Sequence, residues 1–431
     1  MTLKDKIQII KEGINPLLFP KGMELLSSVT ETYELELAYL ESKILDNKEI
    51  IKNGAYFTSV DDILTHHYLM CEGEPVKLSQ YSSSKLKSYF NLNQFKTGYA
   101  THGLFPYRGK FHPQMIKSLL NIMGLKKGDL VLDPMMGSGT TLIEAKLMGI
   151  RSIGIDISPF CRFMTQTKLD ALTIPHELIL KVKDDYKIIF YYFDKKQKGY
   201  NGSPDATTNF DLPEEYRQTS VFNLLLLAYL DSVGYVQRSE KGNHLNQFRD
   251  ILERYVFVVE KIQGSLTGIE NELAEAVPME GDARRVVLED NSIDGIIFSP
   301  PYSFAIDYLK NDLFHLKYLG ANIKSINENM VGLRGKTLQE KYELYLKDIK
   351  LIMSECARVL RPGKICTIII GTNSNQLSKI HKKPVNEVQG LDEVIIEIGR
   401  IYKLKLIRKI ERRIIGIANK LRTEYIILFQ K

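Results

Sequence analysis

Cysteine is scarce. The 431-residue chain holds four, Cys71, Cys161, Cys356 and Cys366, with no Cys-x-x-Cys pair. That pattern argues against a disulfide framework and against a structural zinc site, and it fits a reducing cytosolic compartment. Long apolar runs are also missing. No long apolar segment follows the opening Met1-Thr2-Leu3-Lys4-Asp5-Lys6, and the longest largely apolar stretch, 221–230, is shorter than the roughly 20 helical residues that cross a bilayer. The expectation is a cytoplasmic protein with no membrane segment. Solenoid repeats and low-complexity tracts are absent too. What remains is an ordinary globular composition, 44% hydrophobic and 26% charged with 29 Gly and 15 Pro, long enough for two or three domains at about 150 residues each.

The formal net charge is +6, and it is unevenly placed. Residues 372–431 carry 13 Lys+Arg against 6 Asp+Glu, which leaves 45 against 46 in the rest of the chain. A basic C-terminal stretch suits a phosphate backbone and equally a solvated surface.

The organisation changes near residue 96. Residues 1–95 read as mainly helical, with apolar positions at helical spacing across 23–45. Beyond them, Leu130-Val131-Leu132 reads as a buried strand, Gly137-Ser138-Gly139-Thr140-Thr141 as a turn, 142–148 as a helix and 151–155 as a second strand. Strand, glycine turn, helix and strand make a βαβ unit, so the fold class is α/β with a parallel, Rossmann-like sheet. Strand alternation stops over 165–275, a mainly helical insertion, and resumes at 279–282 and 294–298. A shorter helical insertion covers 303–345, followed by a helix over 348–360 that ends at Arg361-Pro362-Gly363, a strand over 365–370, a helix over 392–400 and strands over 404–410 and 424–429. The catalytic domain is therefore expected over 96–164 and 276–431.

Asp133-Pro134-Met135-Met136-Gly137-Ser138-Gly139-Thr140 sets a carboxylate at a strand end and two glycines where the next helix opens. Glycine lets a ligand approach the backbone. A P-loop would need Lys after its last Gly, and Thr140 stands there, which argues against an NTPase. Asp133 repels phosphate and suits an ammonium group. Asp156 ends the second strand, seventeen residues after Gly139, where a doubly wound sheet holds ribose hydroxyls. An amino acid joined to a nucleoside is S-adenosylmethionine. Asp282, at the end of the next strand, is the candidate acceptor for the adenine amine.

Ser299-Pro300-Pro301-Tyr302 follows the apolar strand at once. Two prolines cannot continue a ladder, so they force a rigid turn at the strand end, where open α/β sheets bind ligands. Taken with Asp133 to Thr141, Asp156 and Asp282, the chain resembles the DNA amino-methyltransferase family, whose catalytic motif is Asp/Asn/Ser-Pro-Pro-Tyr. Ser at the first place is similar to the site-specific cytosine-N4 members. Phe105-Pro106-Tyr107-Arg108-Gly109-Lys110-Phe111-His112-Pro113 resembles the family segment that lies against the methionine part of the cofactor. The resemblance covers 101–158 and 277–431.

It implies an S-adenosylmethionine-dependent methyltransferase that modifies the exocyclic N4 amine of cytosine in double-stranded DNA, with the target base flipped out and no metal. A restriction-modification system with a cognate endonuclease is the implied setting. Asp133, Pro134, Gly137, Ser138, Gly139, Thr140, Asp156 and Asp282 are then the cofactor residues, and Ser299, Pro300, Pro301 and Tyr302 the catalytic ones. No cysteine follows a proline, so the Pro-Cys nucleophile of C5-cytosine enzymes is missing. The cofactor motif precedes the catalytic one, unlike the order in many N4 enzymes, and 165–275 is the first candidate for the target-recognition region, with 303–345 second. Arg334, Lys336, Lys379, His381, Lys382, Lys383, Arg412, Arg413 and Arg422 are candidate phosphate contacts. Adenine-N6 methylation of DNA, guanine-N2 methylation of RNA and a non-catalytic nucleic-acid-binding protein stand as alternatives.

Overall fold

Seven segments with alternating apolar side chains lie side by side in one main sheet. They are β1 (Leu130–Asp133), β2 (Arg151–Asp156), β3 (Ala276–Glu280), β4 (Ile293–Phe298), β5 (Leu360–Gly371), β6 (Lys405–Ile415) and β7 (Leu421–Gln430). The computed structural model describes residues 2, 4–7, 14–71, 98–107, 109–198, 211–239, 243–266, 272–301, 308–415 and 421–431. Strand order is β3-β2-β1-β4-β5-β7-β6. The first five strands are parallel, and β7 runs against both of its neighbours. The expected Rossmann-like α/β sheet is present, and its order reverses between β1 and β4, so a crevice opens above their carboxyl ends.

The helices used below are α1 (Thr32–Ile44), α2 (Pro113–Ile122), α3 (Thr140–Leu147), α4 (Pro159–Asp170), α5 (Tyr186–Lys198), α6 (Thr219–Ser239), α7 (His244–Leu266), α8 (Tyr308–Tyr318), α9 (Ile323–Asn329), α10 (Leu338–Val359), α11 (Ser374–His381) and α12 (Leu391–Ile401). Successive strand side chains point to opposite faces, and this period of two divides the core. Val131, Ile297, Ile369, Ile426 and Leu428 join Leu37 of α1 and Met115 and Leu119 of α2 on one face. Leu132, Ile296, Phe298, Ile368, Ile370, Ile427 and Phe429 join Ile349 and Ile352 of α10 and Ile395 of α12 on the other. Each such side chain, once buried, contributes about 1.5–3 kcal/mol. The backbone bonds between strands hold the tips in register.

Several boundaries differ from the sequence reading. The N-terminal region is not purely helical: Met23–Leu25, Phe57–Val60 and Ile63–Leu64 form a small antiparallel sheet. Apolar residues at 25, 26 and 29 mimic helical spacing, but α1 starts only at Thr32, where Glu31 and Glu34 cap each other's backbone amides. Strand β5 begins at Leu360, five residues early, because the Arg361-Pro362-Gly363 bend stays within the strand. The apolar run at 221 is also longer than expected. Within α6, 219–237 is long and apolar enough to span a bilayer by length and composition, and 72% of that window is buried inside the protein. Its partners are α4, α5, α7 and α8, which with Phe105 build a second core around Phe160, Phe193, Tyr229, Phe248 and Tyr255.

One buried acid ties the N-terminal region to α2. Glu41 of α1 has no solvent exposure and accepts hydrogen bonds from Asn121 Nδ2 at 2.6 Å and from the Ala55 amide at 3.2 Å. Burial pushes its carboxyl up to about 7, and the bonds from Asn121 and Ala55 only partly oppose that rise. An acid whose folded value is raised stabilises the fold fully below its unfolded value, and that contribution is lost as pH rises through the folded one. Glu41→Gln should therefore gain roughly 3 kcal/mol over wild type between pH 4.5 and pH 8. Urea unfolding at the two pH values measures this, and an equal difference at both would remove Glu41 as the cause.

Candidate active site

The end of β1 is built around a carboxyl sealed beneath the loop that follows it. Asp133 is fully buried, and it accepts from the Thr141 hydroxyl at 2.7 Å and from the Met135 amide at 3.1 Å. Burial raises its carboxyl to about 7, against the lowering effect of those two bonds. Its first duty is thus to fold the turn 133–141, with the charge held below the crevice and not open within it. Pro134 is buried beside it. Gly137 and Gly139 both take positive φ, +49° and +75°, where a side chain is strained. A Cβ on Gly139 would stand 2.4 Å from Cγ2 of Thr165, so α4 presses directly on the loop. Ser138 and Thr140 are buried, with their hydroxyls 3.4 Å apart.

The next two strand tips bring further carboxylates. Asp156, closing β2, accepts from the Gly137 amide at 3.0 Å and the Ser158 amide at 2.9 Å. Burial raises its carboxyl above the usual range, and those amides limit the rise. Two of the sequence-predicted residues, Gly137 and Asp156, are therefore bonded directly. Asp282 lies just past β3, where the Arg284 guanidinium grips both of its oxygens at 2.6–3.1 Å. Burial works to raise this acid, but the Arg284 bonds outweigh it and hold the carboxyl below its ordinary value.

Ser299 and Pro300 continue β4, which pairs with β1 on one side and β5 on the other. Ser299 is half-buried and Pro300 buried, with Pro301 half-buried after them. Tyr302 lies outside the described residues, as do 303–307. Asp133, Asp156, Asp282 and Ser299 thus stand at the carboxyl ends of four adjacent parallel strands. Among the described residues no group of three or more His, Cys, Asp or Glu is arranged to hold a metal ion. All four cysteines are buried, and none forms a disulfide.

Periodicity alone did not reveal some residues packed on this site. Thr165 donates to the Gly137 carbonyl at 3.3 Å, and the fully buried Lys168 reaches the Ser138 carbonyl at 3.5 Å. They recur at i and i+3 on α4, which reads as an ordinary helix face. Tyr107 comes within 3.5 Å of where a Gly137 Cβ would be, and its hydroxyl accepts from Cys161 at 3.4 Å. Behind the loop, Tyr99 donates to Glu144 at 2.6 Å, and His102 Nε2 lies 2.7 Å from the same oxygen, all of it buried.

The basic residues divide. Arg334 is paired with Asp348, Arg412 with Glu424 and Arg413 with Glu411, so these cations already serve the fold. Lys336, Lys379, His381, Lys382 and Lys383 are exposed, the last four at or just after the end of α11, the helix that follows β5. The side chain of Arg422 lies outside the described residues.

Comparison with known proteins agrees with this geometry. A family model described as DNA methylase matches 28–166, and an RMKL-like methyltransferase domain matches 104–229. The chain is 27% identical over 321 residues to the type II methyltransferase M.BsoBI of Geobacillus stearothermophilus, covering 63% of this chain and 61% of that protein. It is 33% identical over 172 residues to the type II methyltransferase M.MjaII of Methanocaldococcus jannaschii, covering 39% and 31%. A third likeness, 47% over 53 residues, is to a tRNA (guanine(10)-N2)-dimethyltransferase of Methanothermobacter thermautotrophicus, covering 12% of this chain and 16% of that one. The chain spans less than two thirds of the length of each. S-adenosylmethionine is the indicated cofactor, and a positive-φ glycine turn beside the partly exposed Asp156 and Asp282 carboxylates fits a ligand with a nucleoside end.

Gly139→Ala tests whether the turn must stay open. The clash with Thr165 and the strained φ together should lower affinity for S-adenosylhomocysteine at least ~10-fold, since such strain costs about 1–3 kcal/mol. Titration calorimetry reads this directly; unchanged affinity would show that the turn does not hold the cofactor.

Proposed function

We propose that this chain is a DNA amino-methyltransferase that transfers a methyl group from S-adenosylmethionine to the exocyclic N4 amine of cytosine in double-stranded DNA, a reading that the DNA-methylase match and the two type II relatives support. The supporting observation is the convergence of Asp133, Asp156, Asp282 and Ser299 at neighbouring strand tips around the point where strand order reverses. Ser299 at the head of the Ser-Pro-Pro-Tyr motif is what favours cytosine N4 over adenine N6.

Bound S-adenosylmethionine supplies an electrophilic sulfonium methyl. The chain's own work is orientation. An exocyclic cytosine amine is a weak nucleophile because its lone pair is delocalised into the ring. The amine donates to the Ser299 hydroxyl and the Pro300 carbonyl, which draws the nitrogen toward a pyramidal geometry and localises the lone pair. Pro300 and Pro301 fix those acceptors, so little is lost to reorganisation during the reaction. Tyr302 stacks on the base once it has left the duplex. Asp133 and Asp156 hold the glycine turn, with Pro134, Ser138 and Thr140 packed around it, and Asp282 receives the adenine amine.

The exposed cations Lys336, Lys379, Lys382 and Lys383, with His381, are the phosphate contacts we propose, because the other candidates with described side chains already have carboxylate partners. The helical insertion over 165–275 remains our first proposal for reading the target sequence, with 303–345 second. A cytoplasmic modification enzyme with a cognate endonuclease is the setting, by analogy with the type II relatives. A second reading, guanine-N2 methylation of RNA, draws on the short likeness to the tRNA enzyme.

Nucleoside mass analysis decides between them. DNA incubated with the protein and S-adenosylmethionine should yield N4-methylcytosine; methylguanosine in tRNA with unmodified DNA, or N6-methyladenine, would overturn the choice. Ser299→Ala should lower turnover by about 100-fold, the scale of losing one positioned hydrogen-bond partner, with cofactor affinity unchanged. Tyr302→Ala should abolish transfer while the protein still binds DNA. Binding without any transfer by the wild-type protein would reduce it to a nucleic-acid-binding module.

A further inference from the structure

Arg284 joins three parts of the chain that the motif reading kept separate. Its Nε donates to both oxygens of Asp282, at 2.9 and 3.1 Å, and Nη2 donates to the second oxygen at 2.6 Å. Nη1 donates to Asp348 of α10 at 3.1 Å, and Nη2 also reaches the Asn329 carbonyl at the end of α9, at 3.0 Å. Asp348 is buried and takes a second guanidinium, that of Arg334. The result is an alternating row, Asp282, Arg284, Asp348, Arg334, with two negative and two positive charges. Arg284 is only 11% exposed and Asp348 3%, whereas Asp282 is 37% exposed and faces outward at the end of the row.

A carboxylate at the tip of a strand rotates freely unless something holds it. Here the Arg284 backbone amide donates to Oδ1 of Asp282 at 2.9 Å and the flat guanidinium fork, bonded to both oxygens, fixes the plane, while Asp348 with the Asn329 carbonyl fixes the guanidinium. Fork geometry is what separates Arg from Lys: a lysine would supply charge without holding the plane. A carboxylate offers about four acceptor directions, more than the three Arg284 nitrogens that bond to it use, so a ligand amine can still bond to Asp282.

We propose that Arg284 is a positioning residue for the cofactor, which orients Asp282 so that the chain selects a 6-amino purine over a 6-oxo purine at the nucleoside end of its methyl donor. This rests on the reading of Asp282 as the adenine acceptor. A 6-oxo ring presents an acceptor to the Asp282 acceptor, so two oxygens repel where the 6-amino ring would donate a hydrogen bond.

The test is titration calorimetry on the full chain with S-adenosylhomocysteine and its deaminated counterpart, S-inosylhomocysteine. Wild type should favour the adenine form at least ~100-fold, and Asp282→Ala should bring the ratio near one. If wild type shows no preference, or D282A retains it, the Asp282 reading fails and the proposal fails with it. In Arg284→Lys the ratio should fall ~10-fold through weaker binding of the adenine form alone, with affinity for the 6-oxo form unchanged. If D282A removes the preference but R284K keeps it, or R284K weakens both ligands equally, Arg284 has no positioning role while the Asp282 reading stands. Should R284K fail to fold, Asp348→Asn carries the test: it leaves the fork on Asp282 but loosens its anchor, and the ratio should fall about threefold. An unchanged ratio there overturns the proposal.

Discussion

The site depends on one constraint, the sealing of the Asp133 carboxyl beneath its own loop. A buried acid needs hydrogen-bond partners or it neutralises, and Asp133 finds two of them within the next eight residues, the Met135 amide and the Thr141 hydroxyl. Those bonds curl the chain tightly enough that Gly137 and Gly139 must adopt positive φ. The Gly137 amide then points to Asp156 on the neighbouring strand. In this way β1 fixes β2, and the turn between β1 and α3 is a shared structure of two strands with α4 pressed against it. Removing any one of these contacts frees a polar group in a dry place, which accounts for their occurrence together.

What could be read from the sequence followed from local rules. The βαβ unit from β1 to β2 was legible because period-two apolar runs flank a glycine turn. The carboxylates at strand ends were legible because their spacing from the glycines is set by one helix and one strand. The roles of the carboxylates were less so. Asp133 read as an open charge, since sequence does not show that Thr141 turns back on it. Asp282 read as a lone acceptor, although its Arg284 partner is two residues away; the second half of that row, Asp348 and Arg334, comes from helix and loop pairing that no short window contains.

The misread segments share a cause as well. Residues 23–29 carry apolar side chains at a spacing compatible with either a helix or a short strand, and it is pairing with Phe57–Val60 that settles the matter. In the sequence the apolar run of α6 stops at Leu230, because Asp231 follows it. Asp231 lies inside that helix, buried, and Arg254 of α7 pairs with it at 2.6 Å while also donating to the Leu104 carbonyl. A charge in an apolar helix is tolerated once its partner arrives from a distant part of the chain. That same arginine anchors the segment leading to Tyr107, so the large insertion supports the floor of the crevice whatever else it does.

The position of β7 has a bearing on how the protein is made. It lies between β5 and β6, yet it is synthesised after both. While β7 is still within the ribosome, β5 has an open edge and β6 has no place to dock, and Ile426 to Phe429, which contribute to both apolar faces, are missing. Closure of the sheet therefore waits for the latest strand, and until then a nascent chain displays an unpaired apolar border suited to chaperone capture.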